Sequence, residues 1–260
     1  MEHQDSKERV RQLQLINDDY LGHVDVLRHA CRGILVKDGK VLLSYEANNG
    51  KYLTPGGGVE GNETFSECCE REMLEETGMQ VKAVRNFLDI EELFDVWKHI
   101  NHYFVCELIE DTGSRHLTEA EESAGCTYVW KPLDEALEIF GNYEDYHESD
   151  IAVYGLYKRE YKALEAYMEY SKKSQVDRIR LMEEKAKRLQ KALDQFQNGT
   201  PLNEEILSDV QDLERYYETV WRDDFEDDEK GKFPPDLKRG ILSEDMLYNL
   251  LADFDAIKKV

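Results

Sequence analysis

Three glutamates, Glu72, Glu75 and Glu76, stand at i, i+3 and i+4, the spacing that places side chains on one face of a helix. Like charges so placed repel, and each adjacent pair costs about a few tenths of a kcal/mol. Gly78 follows where a helix would stop, so the three carboxylates also fall near a C-terminus, where the macrodipole disfavours anions. A bound cation would offset both penalties. Carboxylate oxygens are hard ligands and select hard divalent ions, so Mg²⁺ or Mn²⁺ is the natural candidate.

The elements that must position these groups are legible nearby. Gly56-Gly57-Gly58 forms a glycine-rich loop, and a helix is expected from about Thr64 to Thr77. Thr64 with Glu67 three residues on matches a capping box, and Gly78 matches a C-terminal glycine stop. Gly33–Val36 and Val41–Tyr45 read as strands joined by a tight turn at Asp38-Gly39. Further strands are expected at 81–88, 102–108 and 126–130, a short helix at 133–140 and a longer one from about 150 to 170. The first 28 residues read as a short helix and a connector.

The stretch from Gly57 to Met79 resembles the signature of the Nudix hydrolase superfamily, G-x5-E-x7-R-E-U-x-E-E-x-G-U, where U is a bulky apolar residue. Each fixed position is matched, by Gly57, Glu63, Arg71, Glu72, Met73, Glu75, Glu76, Gly78 and Met79. Leu53-Thr-Pro-Gly56 and Val129-Trp-Lys-Pro-Leu133 are further Nudix-like neighbours, and the resemblance covers roughly residues 28–170. It implies an α/β/α sandwich with a mixed sheet. It also implies that Glu72, Glu75 and Glu76 bind the metal with the carbonyl of Gly56, and that Arg71 pairs with Glu63 as a structural clamp. The water-activating base varies in this superfamily. Glu75 is the first choice here, with Glu121 or Glu122 next, from a later loop that also carries Glu119. Lys51, Arg32 and Arg28 are the local cations suited to substrate phosphates, or to structural salt bridges.

Composition narrows the partners. The net charge is −23, of which residues 1–170 carry −18, so general binding to nucleic acid or to anionic membranes is disfavoured. An anionic substrate then needs a metal or a local cationic patch. No apolar run is long enough to span a membrane, the polar start lacks a secretory h-region, and five cysteines without a CxxC spacing suggest reduced thiols. A cytoplasmic protein is expected. Cys68 and Cys69 are read as packing residues. His99 and His102 are read as strand or surface residues, with phosphate contact as the alternative.

After Ser171 the pattern is helical. Val176, Ile179, Met182, Ala186, Leu189, Leu193 and Phe196 make one apolar stripe, and Leu202, Ile206, Val210, Leu213, Tyr217 and Val220 a second. A turn at Asn198–Pro201 would join them as a helical hairpin, and a last helix would carry Leu247, Leu250, Leu251 and Phe254. Asp223–Pro235 reads as a solvated acidic loop; it lacks the glycine and the final Glu of a calcium loop. With the run Gly231–Ser243, this region resembles a small bacterial helical domain family of unknown function. The expected division is 1–170 and 171–260. Dimerisation or protein docking through the C-terminal helices, and simple intrachain packing, both suit the stripes.

The expected activity is metal-dependent hydrolysis of a nucleoside diphosphate linked to another group. A non-catalytic nucleotide sensor or adaptor on the same fold is the alternative. Two substrate markers of the superfamily are missing. Phe94 stands where ADP-ribose hydrolases carry a proline, and no tyrosine marker for dinucleoside polyphosphates lies around Val96.

Overall fold

The structure, a computed structural model, describes residues 10–196, 201–243 and 245–258. The chain divides into two compact units, Met1–Glu169 and Tyr170–Val260.

The first unit is built on a mixed sheet. Its strands are β1 (Arg11–Ile16), β2 (Val26–Lys37), β3 (Lys40–Glu46), β4 (Lys51–Leu53), β5 (Gly56–Gly58), β6 (Met79–Phe94), β7 (Trp97–Asp111) and β8 (Cys126–Pro132). The order is β1-β6-β7-β2-β3-β4, with β5 on β2 and β8 on β3. β1 runs parallel to β6 and β2 parallel to β7, while β6–β7, β2–β3, β3–β8 and β2–β5 are antiparallel. The β2–β3 turn has φ of 51° at Asp38 and 71° at Gly39, the left-handed pair that a tight two-residue hairpin requires.

Alternation along the strands sorts two faces. Cys31, Leu35, Phe104 and Cys106 bury one face under helix α1 (Phe65–Thr77), packing on Cys68, Cys69 and Met73. Thr64 and Glu67 form both bonds of the capping box, and Gly78 ends the helix at φ 74°. Cys69 and Cys106 touch at 3.7 Å between sulfurs as free thiols, so these cysteines are packing groups. The other face carries Arg32, Asn101 and Tyr103. It meets the start of helix α4 (Ile151–Phe196), where Arg159 Nε donates to the Tyr103 hydroxyl at 3.1 Å. Between α1 and α4 in chain order come α2 (Glu119–Ala124) and α3 (Leu133–Gly141). The result is an α/β/α sandwich.

In the second unit, the C-terminal part of α4 packs with α5 (Glu204–Thr219), α6 (Trp221–Glu229) and α7 (Met246–Lys258). Ile179, Leu189, Leu193, Ile206, Leu213, Leu247 and Phe254 share one core, so the two apolar stripes bury one another. Among the described residues no helix is long and apolar enough to cross a membrane.

Three expectations need correction. Residues 11–16 form a strand and not a helix: Leu13 and Leu15 alternate with Gln12 and Gln14, whose amides donate to Asp89 and Glu91 on β6. The helix beginning near 150 does not stop at 170, because its spacing of apolar residues continues past Ser171 with no Gly or Pro to end it. The stretch 223–229 is helical and not a solvated loop, and Asp224 within it is fully buried. The expected turn at Asn198–Pro201 falls mostly outside the described residues.

Candidate active site

The glycine loop and α1 bring the signature residues together. Gly57 has no room for a side chain, since a Cβ there would fall 2.5 Å from Glu72 Oε1. The glycine therefore lets the backbone lie directly against that carboxylate. Arg71, at the midpoint of α1, reaches back to the loop. Its Nε and Nη2 donate to the two carboxylate oxygens of Glu63 at 3.0 and 2.7 Å, and Nη2 also donates to the carbonyl of Gly58 at 3.1 Å. This paired geometry is the strong form of an arginine–carboxylate contact. It holds the Glu63 carboxyl down at about 2.

Arg71 Nη1 turns the other way, donating to Glu72 Oε1 at 2.8 Å and Glu75 Oε2 at 3.0 Å. One guanidinium thus serves three carboxylates. Glu72 is buried, and loss of solvent raises its carboxyl above the usual range, with repulsion from Glu75 and Glu121 acting in the same direction against the pull of Arg71. Glu76 leaves the group: Ser44 Oγ on β3 donates to its Oε2 at 2.6 Å, and desolvation pushes its carboxyl up to about 8.

Glu72, Glu75 and Glu121 line one cleft of ≈ 440 Å³ with Gly57, Gly58, Arg28 and Arg71. Glu121 comes from the first turn of α2 and accepts a 2.7 Å bond from the Thr118 amide as part of a second capping box. Glu119 and Glu122 are exposed on the same helix, outside the cleft. Among the described residues no three His, Cys, Asp or Glu side chains converge as metal ligands. The ligand set expected from the signature is thus not gathered here: Arg71 stands between Glu72 and Glu75, and Ser44 draws Glu76 aside. The donor chemistry nonetheless suits a hard divalent ion, because the acceptors lining the cleft are carboxylate, backbone and hydroxyl oxygens and their negative charge exceeds what Arg71 neutralises.

A second cavity of ≈ 400 Å³ adjoins the first, since Arg28 and Gly57 line both. Gly56 lines this cavity and not the carboxylate cleft. Arg32 also lines it, held by Asn101 Oδ1 at 3.0 Å and the Thr54 carbonyl at 3.1 Å. Lys51 stands apart from both, 3.9 Å from Asp150. His99 is on the wall of the cavity, whereas His102 is buried against Asp89 at 2.7 Å and His29 at 3.0 Å. Sequence reasoning missed Asn17, Glu92, Asn101 and Arg159 on this wall. One signal existed for Arg159, a charge on the apolar register between Leu156 and Ala163. Asn17 gave none.

Fold and site together define an α/β/α sandwich domain organised around a glycine-led loop, a carboxylate-bearing helix and an arginine clamp. Two family models match, each over less than half of the chain. Residues 27–150 are a NUDIX domain, and residues 179–260 match a second family described as "Domain of unknown function (DUF4298)". An "ADP-ribose pyrophosphatase" of Methanocaldococcus jannaschii is 42% identical over 64 residues, 24% of this chain and 37% of that one. A "MutT-like protein" of Streptomyces ambofaciens is 31% identical over 109 residues, 41% of this chain and 64% of that one. The chain therefore spans less than two thirds of either curated relative. A solved NUDIX hydrolase from Nitrosomonas europaea aligns over 42% of this chain and 74% of its own at 23% identity, with a TM-score of 0.37, too slight a likeness to bear on function.

Proposed function

We propose that the chain is a divalent-metal-dependent pyrophosphohydrolase that cleaves a nucleoside diphosphate linked to another moiety by water attack on phosphorus. The observation that carries this reading is the shared cleft of Glu72, Glu75 and Glu121, opening through Arg28 and Gly57 onto a nucleotide-sized cavity. Glu72 and Glu75 are the carboxylates that would hold Mg²⁺ or Mn²⁺; Glu76 would join them on giving up its bond from Ser44, and the Gly56 carbonyl would join from the adjoining cavity. When bound, the ion neutralises diphosphate charge and lowers the pKa of a water.

The protein's own groups then have separate tasks. Arg71 fixes the loop through Glu63 and keeps Glu72 and Glu75 in place. Arg28, at the junction of the two cavities, offers a guanidinium to phosphate oxygens, and Arg32 stands on the wall beyond it. Glu75 or Glu121 orients the attacking water for in-line displacement. Glu122 lies outside the cleft and Lys51 outside both cavities, so Glu121 is the better placed base of that loop and Arg28 the better placed phosphate contact.

A panel of nucleotide sugars, dinucleotides, nucleoside triphosphates and ADP-ribose, assayed with Mg²⁺ and with Mn²⁺, tests the reading. ADP-ribose is included because of the Methanocaldococcus jannaschii relative, although Phe94 occupies the marker position. The expected result is metal-dependent release of two phosphate-bearing products, reduced at least about a hundredfold by Glu72→Gln. Nucleotide binding without turnover across the panel would favour the sensor alternative instead.

A further inference from the structure

The larger cavity carries two buried polar atoms that the protein leaves without partners. Asn17 is 8% exposed, and its Oδ1 has no hydrogen-bond partner; neither has His99 Nε2. Both residues line the cavity. Buried polar groups are nearly always satisfied, because an unmet one loses water and gains nothing, so an unmet pair on a cavity wall asks for a ligand.

Several other polar groups of the wall partner one another. Glu92 Oε2 accepts from Asn101 Nδ2 at 2.8 Å and from Arg159 Nη1 at 3.0 Å, and Asn101 Oδ1 accepts from Arg32. These groups form a satisfied floor. His99 is held by aromatic edges, with Phe94 at 4.8 Å and Trp97 at 5.4 Å between ring centroids. Ile151, Ala152 and Leu156 of α4 supply an apolar side. Burial, reinforced by Arg28, Arg159 and Arg32, holds the imidazole down at about 4 against the pull of Glu92, so it is neutral near pH 7 and can accept or donate.

Room for Asn17 is built into the opposite element. Gly155 lies inside α4, where glycine is a poor helix former, yet a Cβ there would fall 2.7 Å from Asn17 Nδ2. The main chain of Asn17 is fixed too, its amide donating to the Leu93 carbonyl at 2.8 Å. The polar head is therefore positioned.

Distance orients the occupant. Asn17 continues β1, and the strands then run β6, β7, β2 to β5, which carries Gly57. Four strand steps at ~4.8 Å give roughly 19 Å from one end to the other, with His99 on β7 between them. An aromatic and aliphatic slot with hydrogen-bonding edge atoms at one end, and arginine beside glycine backbone at the other, suits a planar heterocycle joined to an anionic tail.

We propose that Asn17 and His99 form a base-reading subsite, which binds the N–H-bearing edge of a nucleobase while the diphosphate lies toward Arg28 and Gly57. This rests on the pyrophosphohydrolase reading for the tail and adds the specificity-determining residues for the head.

The test titrates the full chain, in Mg²⁺, with ADP, GDP, CDP and UDP, and with inorganic pyrophosphate as the probe lacking a base. At least one nucleotide should bind tenfold or more tightly than pyrophosphate. Asn17→Ala and His99→Leu should each erase about tenfold of that preference, leaving pyrophosphate affinity within twofold. Equal binding of all five probes, or equal weakening of nucleotide and pyrophosphate by the variants, overturns the subsite. Should Asn17→Ala fail to fold, His99→Leu decides the matter by the same criterion. Turnover on the wider panel is scored separately. A base preference lost in the variants but without turnover upholds the subsite and removes the hydrolase reading; turnover without base preference does the reverse.

Discussion

Acidic side chains crowd two parts of this molecule, and the sequence writes them alike. In the first unit, Glu63, Glu72 and Glu75 depend on one guanidinium, Arg71. In the second, each buried aspartate has several donors. Asp209 receives Arg188 at 2.7 and 2.9 Å and Lys185 at 3.0 Å. Asp224 receives Arg178 at 3.1 and 2.6 Å, Gln175 at 2.9 Å and the Tyr216 hydroxyl at 2.8 Å. The first cluster is short of positive charge and opens into a cleft. The second is balanced and closed. Charge density alone thus says little about function; what matters is whether the protein itself supplies the counter-charge. Substitutions that set a balanced aspartate against an unbalanced glutamate expose the difference.

The largest effect belongs to Asp224. Its side chain is fully buried while that of Arg178 is 35% exposed, so Asp224→Ala leaves a buried tyrosine hydroxyl and a partly exposed guanidinium without their acceptor. A loss of about 3 kcal/mol is expected, at the lower end for breaking a buried ion pair because solvent reaches the arginine left behind. Urea unfolding followed by circular dichroism measures it. A loss under about 1 kcal/mol would mean that this aspartate is as dispensable as a surface charge, and the contrast between the units would collapse.

Asp209 comes next and adds a sign in pH. Hydrogen bonds from Arg188, reinforced by Lys185, hold its carboxyl below the ordinary aspartate range despite burial. A depressed folded pKa means that the ionised form is favoured by folding. Its stabilisation is full above the ordinary value near 3.8 and is lost as pH falls through the folded value. Asp209→Asn should cost about 2 kcal/mol at pH 7, as for hydrogen bonds to charged groups, and should flatten the acid limb of the stability curve. Denaturation midpoints at pH 7 and across the acid range test both. An acid limb unchanged in the variant would assign that limb to other carboxylates.

Arg71→Ala should follow, at about 1–3 kcal/mol, since its hydrogen bonds are charge-assisted but its side chain is 24% exposed. Thermal denaturation without metal measures it. An effect as large as that of Asp224→Ala would show the clamp to be part of the core.

These contrasts also mark what the sequence disclosed. Local rules carried the first unit: the Thr64–Glu67 capping box, the Gly78 stop and the Asp38-Gly39 turn each depend on residues within a few positions. The contact of Arg71 with Glu63 spans eight positions and was implied by the family signature. Strand β1 was hidden because its partner β6 lies 77 positions away, and a parallel pairing leaves no turn signal. Asp223–Glu229 misled because acidity resembles solvation, and the donors that make Asp224 a core residue sit 46 and 49 positions upstream on another helix. Asn17 and Gly155 were invisible for the same reason: their fit exists only after β1 meets α4.

The smallest stability effect is the most diagnostic. Glu75 is 40% exposed and shares Arg71 with two other carboxylates. Glu75→Gln removes one charge from an overcrowded set while keeping shape and a hydrogen-bond acceptor for Arg71. Repulsion relieved and attraction lost nearly cancel, so metal-free stability should change by no more than about 0.5 kcal/mol, as at an ordinary surface position. The difference should appear only on adding Mg²⁺ or Mn²⁺. An ion that binds the folded state raises the melting temperature by mass action, and that rise should shrink in the variant because one hard oxygen anion has become a neutral amide. A balanced aspartate predicts the opposite pattern: Asp209→Asn should lower the metal-free melting temperature and leave the metal-induced increment as it was. If Glu75→Gln instead destabilises the metal-free protein while its metal increment stays whole, Arg71 already satisfies the cleft, and the two acidic regions do not differ in the way argued.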